Sequence, residues 1–256
     1  MGLETVYGGI DLRFVSDIDK NVNTLLAHYH PNTPNLGDLT AVKWQDVEPV
    51  DVLCAGYPCQ PFSTAGLRKG LEDERAIFEY IADGISVLRP RNILLENVSG
   101  HITLGGTAVI ATLTRLGYSS RWGIVRASDT GAPHKRARLF IWALTTDTIS
   151  KRLQRLRRKR ELGTWQESKP TAWYDYDPCI RRWEKVLKRE APKPSNKKGV
   201  NPIFVEWMMG LPEGHVTGLG LSRTAELKML GNGVVPQQAA LAINLLTERG
   251  ENATST

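Results

Sequence analysis

Three short apolar runs constrain what this chain can fold into: Asp51-Val-Leu-Cys-Ala55, Arg91-Asn-Ile-Leu-Leu-Glu-Asn-Val98 and Leu139-Phe-Ile-Trp-Ala143. Each reads as a strand buried in a sheet. Arg75 to Leu88, between the first two, is helical in pattern, with Ile77, Phe78, Ile81, Ile85 and Leu88 on one face. Strands alternating with helices define an α/β chain. The first run ends at Gly56-Tyr57-Pro58, which forces a turn, because glycine allows unusual φ and proline fixes its own. Cys59 then falls just past the carboxyl end of a strand, where open α/β sheets bind their ligands. Held between Pro58 and Pro61, it is placed to react rather than to pack. A lone cysteine more often packs as a small hydrophobe, a role that Cys54, inside the strand, fits.

The remaining segments add strand ends that carry chemistry. Ile10 to Ser16 alternates like a strand and leads through Asp17-Ile18-Asp19 into a helix from Lys20 to Tyr29. An acid at such a strand end is where nucleotide-binding sheets hold a ribose, although it equally caps a helix. Asn35-Leu-Gly-Asp-Leu39 makes a second such turn, with Asp38 able to accept from an adenine amine or to cap. Pro61 to Glu74 reads as a mobile loop beside Cys59. The run 91–98 ends in Glu96-Asn97, and a carboxylate there costs free energy unless it is paired or protonated. Desolvation would raise its pKa and suit a proton donor. Thr107 to Leu116 reads as a helix and Ser119 to Arg126 as a strand. Arg136 and Arg138, spaced by two, share a face if the next strand starts early. Fixed cations there suit a phosphate or a carbonyl oxygen, or simply a solvated edge. Gly231-Asn232-Gly233 reads as a loop that lets backbone approach a ligand closely, followed by a helix from Gln237 to Leu246.

With 256 residues, 41% of them hydrophobic, the chain can bury one sizeable core and a small second lobe. No apolar run approaches membrane-spanning length and no basic-then-apolar leader opens the chain, so neither a membrane nor a secreted setting is expected. Three widely spaced cysteines, Cys54, Cys59 and Cys179, fit reduced thiols in a cytoplasmic setting, and no CxxC or His/Cys cluster points to a metal. The net charge of +6 is uneven. Lys151 to Lys198 holds 16 Lys/Arg against 6 Asp/Glu, leaving 17 against 21 for the rest. Trp165, Trp173, Tyr174, Tyr176 and Trp183 interleave with those cations, the composition of a nucleic-acid surface. A basic helix near 150–161 and a linker at Pro192–Gly199 complete this segment.

Taken in order, these stretches resemble the DNA (cytosine-5) methyltransferase family over residues 1–147 and 200–246. Gly56-Tyr-Pro-Cys-Gln60 resembles its Pro-Cys-Gln motif and Glu96-Asn97-Val98 its Glu-Asn-Val motif. Gly131-Ala-Pro-His-Lys-Arg-Ala-Arg138 resembles Gln-x-Arg-x-Arg, with His134 in place of Gln, and Gly231-Asn232-Gly233-Val234 resembles the Gly-Asn-(Ala/Ser)-Val cofactor loop. The resemblance implies a Rossmann-like S-adenosylmethionine-dependent methyltransferase sheet with helices on both faces, plus a small target-recognition lobe. Residues 1–147 would form the catalytic and cofactor domain, 148–200 the basic target-recognition region, 201–246 a return segment and 247–256 a frayed tail. Cys59 would attack C6 of a cytosine flipped out of double-stranded DNA, with Glu96 at N3 and the exocyclic amine, Arg138 at O2 and Arg136 in support. S-adenosylmethionine would lie against Asp17, Ile18, Asp38, Leu39, Pro58 and Asn232. Gln60, Ser63 and Asn97 would contact substrate. The setting implied is the cytoplasm of a bacterium or a phage-infected host, possible partners include a cognate restriction endonuclease, and a monomer suffices.

This chain departs from the family pattern in three places. Met1 to Tyr7 aligns after the family's opening Phe-x-Gly-x-Gly-Gly loop, about 15 to 20 residues on, so that a central strand is expected to be missing, which would strip hydrogen bonds from both neighbours. Glu72 to Phe78 is one residue shorter than the family's Arg-Gly-x-Leu pattern. His134 replaces Gln, and both can donate a hydrogen bond. Competing readings are tRNA cytosine-5 methylation, a DNA-binding remnant without catalysis, and a thiol hydrolase using Cys59 with His101 or His134.

Overall fold

The fold is described from a computed structural model, which covers residues 1–58, 75–145 and 173–248. Cys59, Gln60, Ser63, the loop 61–74, the basic helix near 150–161, Trp165 and the tail from 249 lie outside the described residues. Two compact units divide the chain, one of Asp11–Val125, Ala137–Arg152 and Ala242–Thr256, the other of Met1–Ile10, Arg126–Arg136 and Leu153–Leu241.

The first unit holds the main sheet. Its strands are β1 (Val52–Gly56), β2 (Asn92–Val98), β3 (Tyr118–Arg126) and β4 (Ala137–Thr145), in the spatial order β1-β2-β4-β3. β1 and β2 run parallel, with Gly56 opposite Glu96, whereas β2 and β4 run antiparallel, with Glu96 opposite Phe140. The two central strands are apolar along their middles, Ile93–Leu95 and Leu139–Ala143, because both of their faces are buried there. Ile93, Leu95, Leu139, Ile141 and Ala143 enter one core with Leu53, Ile81, Ile85 and Leu113, while Leu94, Phe140 and Trp142 are buried on the opposite face. Helix α3 (Arg75–Leu88) matches the sequence reading end to end, and α4 (Thr107–Arg115) closely follows it. β1 lies at the sheet edge, and Cys54 there is exposed rather than packed, because its side chain alternates away from that of buried Leu53.

The strand expected at Ile10–Ser16 reduces to a single parallel bridge between Val15 and Asn35. Val15 N donates to Pro34 O and Leu36 N to Val15 O. Pro34 has no N–H to continue the ladder, and Asn35 turns its side chain to Asp17 and Gly37 instead. Helix α2 (Lys20–Tyr29) begins on Asp19, whose carboxylate accepts from Asn21 N at 2.9 Å.

The second unit contains α1 (Gly2–Tyr7), α5 (Asp177–Leu187), α6 (Pro202–Met208), α7 (Arg223–Asn232) and the start of α8 (Pro236–Glu248). Trp173 and Trp183, expected on a nucleic-acid surface, are core residues, stacked or bonded through Phe204 and Trp207. Ile180 and Trp183 lie three residues apart on α5, so the helix spends them on its buried stripe. Tyr176 is well exposed. The expected linker carries a two-residue hairpin, β5 (Ser195–Asn196) against β6 (Gly199–Val200), in which Gly199 takes a φ of 100°. The expected Gly231–Gly233 loop is in part helix: Ser222 caps α7, which runs through Gly231 and Asn232 before Gly233 ends it.

Candidate active site

β1 and β2 end side by side, and the sequence places its chemistry at those ends. Glu96 and Arg138 project from the same sheet face as diagonal neighbours, since Glu96 pairs with Phe140 and Arg138 lies two residues away on β4. Arg138 Nε lies 2.9 Å from Glu96 Oε1, with both side chains 17% exposed. Of the two ways to hold a carboxylate at the end of an apolar strand, pairing is the one adopted. Arg138 Nη1 also donates to Ala137 O at 3.0 Å. Gly56 makes room for this pair, because a Cβ there would lie 3.3 Å from Glu96 Oε2.

The next residue of β2 points to the opposite face. Asn97 is buried, donates to Tyr57 O at 3.0 Å and accepts from Val98 N at 2.8 Å. It therefore braces the turn after β1. Tyr57 is itself buried, its hydroxyl 3.0 Å from His101 Nε2 and its ring tilted against Phe78. Burial holds the His101 pKa below its ordinary value. Pro58, beyond it, is exposed. Cys59, Gln60 and Ser63 follow outside the described residues.

Among the expected cofactor residues, Asp17 is half-buried, and its carboxylate accepts from Asp19 N at 2.8 Å. Ile18 stands out at 72% exposed. Asp38 is exposed and caps the short helical turn at Leu39–Ala41, with Oδ1 accepting from Thr40 N and Oγ1. Those bonds hold its carboxyl below the usual range. Leu39 packs against the sheet core. An exposed isoleucine flanked by acids suits an adenine ring and a ribose, so these residues fit the group expected there.

Arg136 and Asn232 belong to the second unit. β4 begins at Ala137, so Arg136 stands outside the strand with a φ of 34° and does not share a strand face with Arg138. Its Nη2 donates to Gly231 O at 2.7 Å and to Gly233 O at 2.5 Å, fastening the residues on either side of Asn232. Gln238 Nε2 in turn donates to Arg136 O at 2.8 Å. His134 Nε2 lies 3.0 Å from Met208 O. The sequence reading missed the roles of Gln238 and of the Tyr57–His101 pair. A tyrosine hydroxyl beside a buried turn needs a partner, which is the signal that points to His101.

The family model for C-5 cytosine-specific DNA methylase matches residues 1–206. This chain belongs to that family, whose members use S-adenosylmethionine. It is similar to the type II methyltransferase M.NlaIV of Neisseria lactamica, 34% identical over 140 residues, covering 50% of this chain and 33% of that protein. M.NlaX of the same organism is 30% identical over 206 residues, 78% of this chain and 65% of the relative. The chain thus spans between a third and two thirds of the length of these relatives. The fold is similar to that of the S. pombe Dnmt2 methyltransferase, with a TM-score of 0.66 at 17% identity, covering 97% and 94% of the two chains. A putative DNA modification methyltransferase encoded within an E. coli prophage gives a TM-score of 0.61 at 16% identity, covering 96% and 95%. Among the described residues, no helix is long and apolar enough to cross a membrane, and no group of His, Cys, Asp and Glu is placed to hold a metal ion.

Proposed function

We propose that this chain methylates C5 of a cytosine in double-stranded DNA through a covalent adduct with Cys59. The Glu96–Arg138 pair at the sheet end carries this reading, because it sets a carboxylate and a fixed guanidinium on one face beside the end of β1. A cytosine edge offers N3, an exocyclic amine and O2, which call for an acid and a cation side by side. The Cys59 thiolate adds to C6 of the flipped base, while Glu96, as the carboxylic acid, gives its proton to N3 and accepts from the amine, so that the added electron pair is held as an enamine with a nucleophilic C5. Arg138 meets O2. Asp17, Ile18, Asp38, Leu39 and Pro58, with Asn232 carried over from the family's cofactor loop, would hold S-adenosylmethionine, which would supply the methyl group to C5 and leave as S-adenosylhomocysteine. Loss of the C5 proton to water then expels Cys59 as the thiolate, and N3 returns its proton to Glu96. Arg136 fixes the carbonyls around Asn232, and Gln60 and Ser63 contact the substrate strand. Residues 148–200 hold the DNA backbone through their positive charge.

Labelled S-adenosylmethionine tests this reading directly. The chain should transfer label to mixed-sequence duplex DNA in preference to tRNA, and Cys59→Ser should reduce transfer by at least about 10³-fold. Transfer that survives in Cys59→Ser, or that goes to tRNA instead of DNA, would refute it.

A further inference from the structure

We propose that Tyr57 and His101 form a buried brace that sets the direction of the chain into Cys59, with His101 acting as a positioning residue for the nucleophile. The inference rests on the reading of Cys59 as that nucleophile. Tyr57 is 7% exposed and held at both ends: Asn97 donates to its carbonyl, and His101 meets its hydroxyl at 3.0 Å. Between those ends its ring contacts Phe78 and meets the His101 ring edge-on, with centroids 5.4 Å apart in each case. One bond fixes the backbone and the other fixes the ring, so residue 57 is left with little torsional freedom.

The next positions transmit that fixation. A residue before proline is confined to extended backbone, and proline locks its own φ, so Tyr57-Pro58 has few soft torsions with which to absorb a shift. Cys59 is the residue that follows. His101 lies at the start of the wide helical turn Ile102–Gly106, where a Cβ on Gly106 would come within 3.1 Å of His101 O. The main chain at that turn is therefore closely packed against the His101 carbonyl. A neutral imidazole protonated on Nδ1 accepts from the tyrosine hydroxyl, and burial favours the neutral ring. Apolar residues would fill both positions at lower cost in desolvation, so the polar pair earns its place by selecting one arrangement.

Tyr57→Phe, His101→Leu and the double variant separate positioning from simple stability. Each single variant takes the 3.0 Å contact from one buried polar group, whereas the double variant removes both groups and should regain thermal stability. Each single variant is expected to lower kcat for methyl transfer about tenfold, with KM for duplex DNA within about twofold of the parent. In the double variant kcat should stay low although Tm recovers. Recovery of kcat together with Tm would reduce the pair to a structural contact and overturn the proposal. If the parent chain transfers no methyl, the functional reading itself has failed, and the brace is then read from alkylation of Cys59 by iodoacetamide, mapped by peptide mass. A change of at least about threefold in that rate in Tyr57→Phe supports the brace, and an unchanged rate overturns it.

Discussion

Gly56 lacks a side chain where Glu96 needs the space. Because a Cβ there would sit 3.3 Å from Glu96 Oε2, Gly56→Ala should push the carboxylate a few tenths of an ångström off its line with Arg138. The expected result is a loss of about tenfold in kcat with little change in Tm, since misplacement of a reacting group costs rate before it costs stability. Unchanged kcat in Gly56→Ala would show that the Glu96 position is not critical. At this scale the sequence made the acid, Arg138 and the turn glycine legible, because each ends or borders an apolar run. The environment of Arg136 was not legible. A left-handed φ at a non-glycine residue leaves no mark in periodicity, and only the fold shows its guanidinium on the Gly231 and Gly233 carbonyls.

At the scale of elements, β2, β4 and α3 were readable because burial on both sheet faces and a helical apolar stripe write themselves into sequence. Elements that depend on one residue's hydrogen bonding were not. Pro34 stops the Val15 ladder, and Ser222 starts α7, which runs on through the Gly231–Asn232 pair. A pattern of aromatics among cations likewise cannot say which side of α5 faces inward, which is why Trp183 reads as surface and lies in the core. Glu206 on α6 shows how one buried side chain organises the segment after its helix. It accepts from Gly214 N, Val216 N, and Thr217 N and Oγ1 at 2.6–3.0 Å. Glu206→Ala would leave the buried Val216 N and the partly buried donors of Gly214 and Thr217 without this acceptor, at a cost of about 3 kcal/mol, read as a lower urea midpoint. Glu206→Gln should fall between the two. An alanine variant as stable as the parent would mean that the segment finds other acceptors.

For the whole molecule, charge is the property most directly tied to partner class. The excess of 16 Lys/Arg over 6 Asp/Glu between Lys151 and Lys198 contrasts with the slightly acidic remainder. Binding to duplex DNA should therefore weaken by at least roughly tenfold between about 50 and about 200 mM salt, through release of condensed counterions. Salt-independent binding, followed by fluorescence anisotropy, would argue against a phosphate-tracking role for that segment. Fold class was legible at this scale. The division into units was less so, since the chain enters and leaves each unit more than once.

The most direct test of the account joins all three scales: trapping on duplex DNA that carries 5-fluorocytosine, in the presence of S-adenosylmethionine. Fluorine at C5 cannot leave as a proton does, so the adduct that forms after methyl transfer cannot break down. The account predicts a stable protein–DNA species whose peptide mass places the bond on Cys59, and much less of it in Glu96→Gln. A bond at another residue, or 5-methylcytosine formed from ordinary DNA without any trapped adduct on the fluorinated duplex, would contradict it.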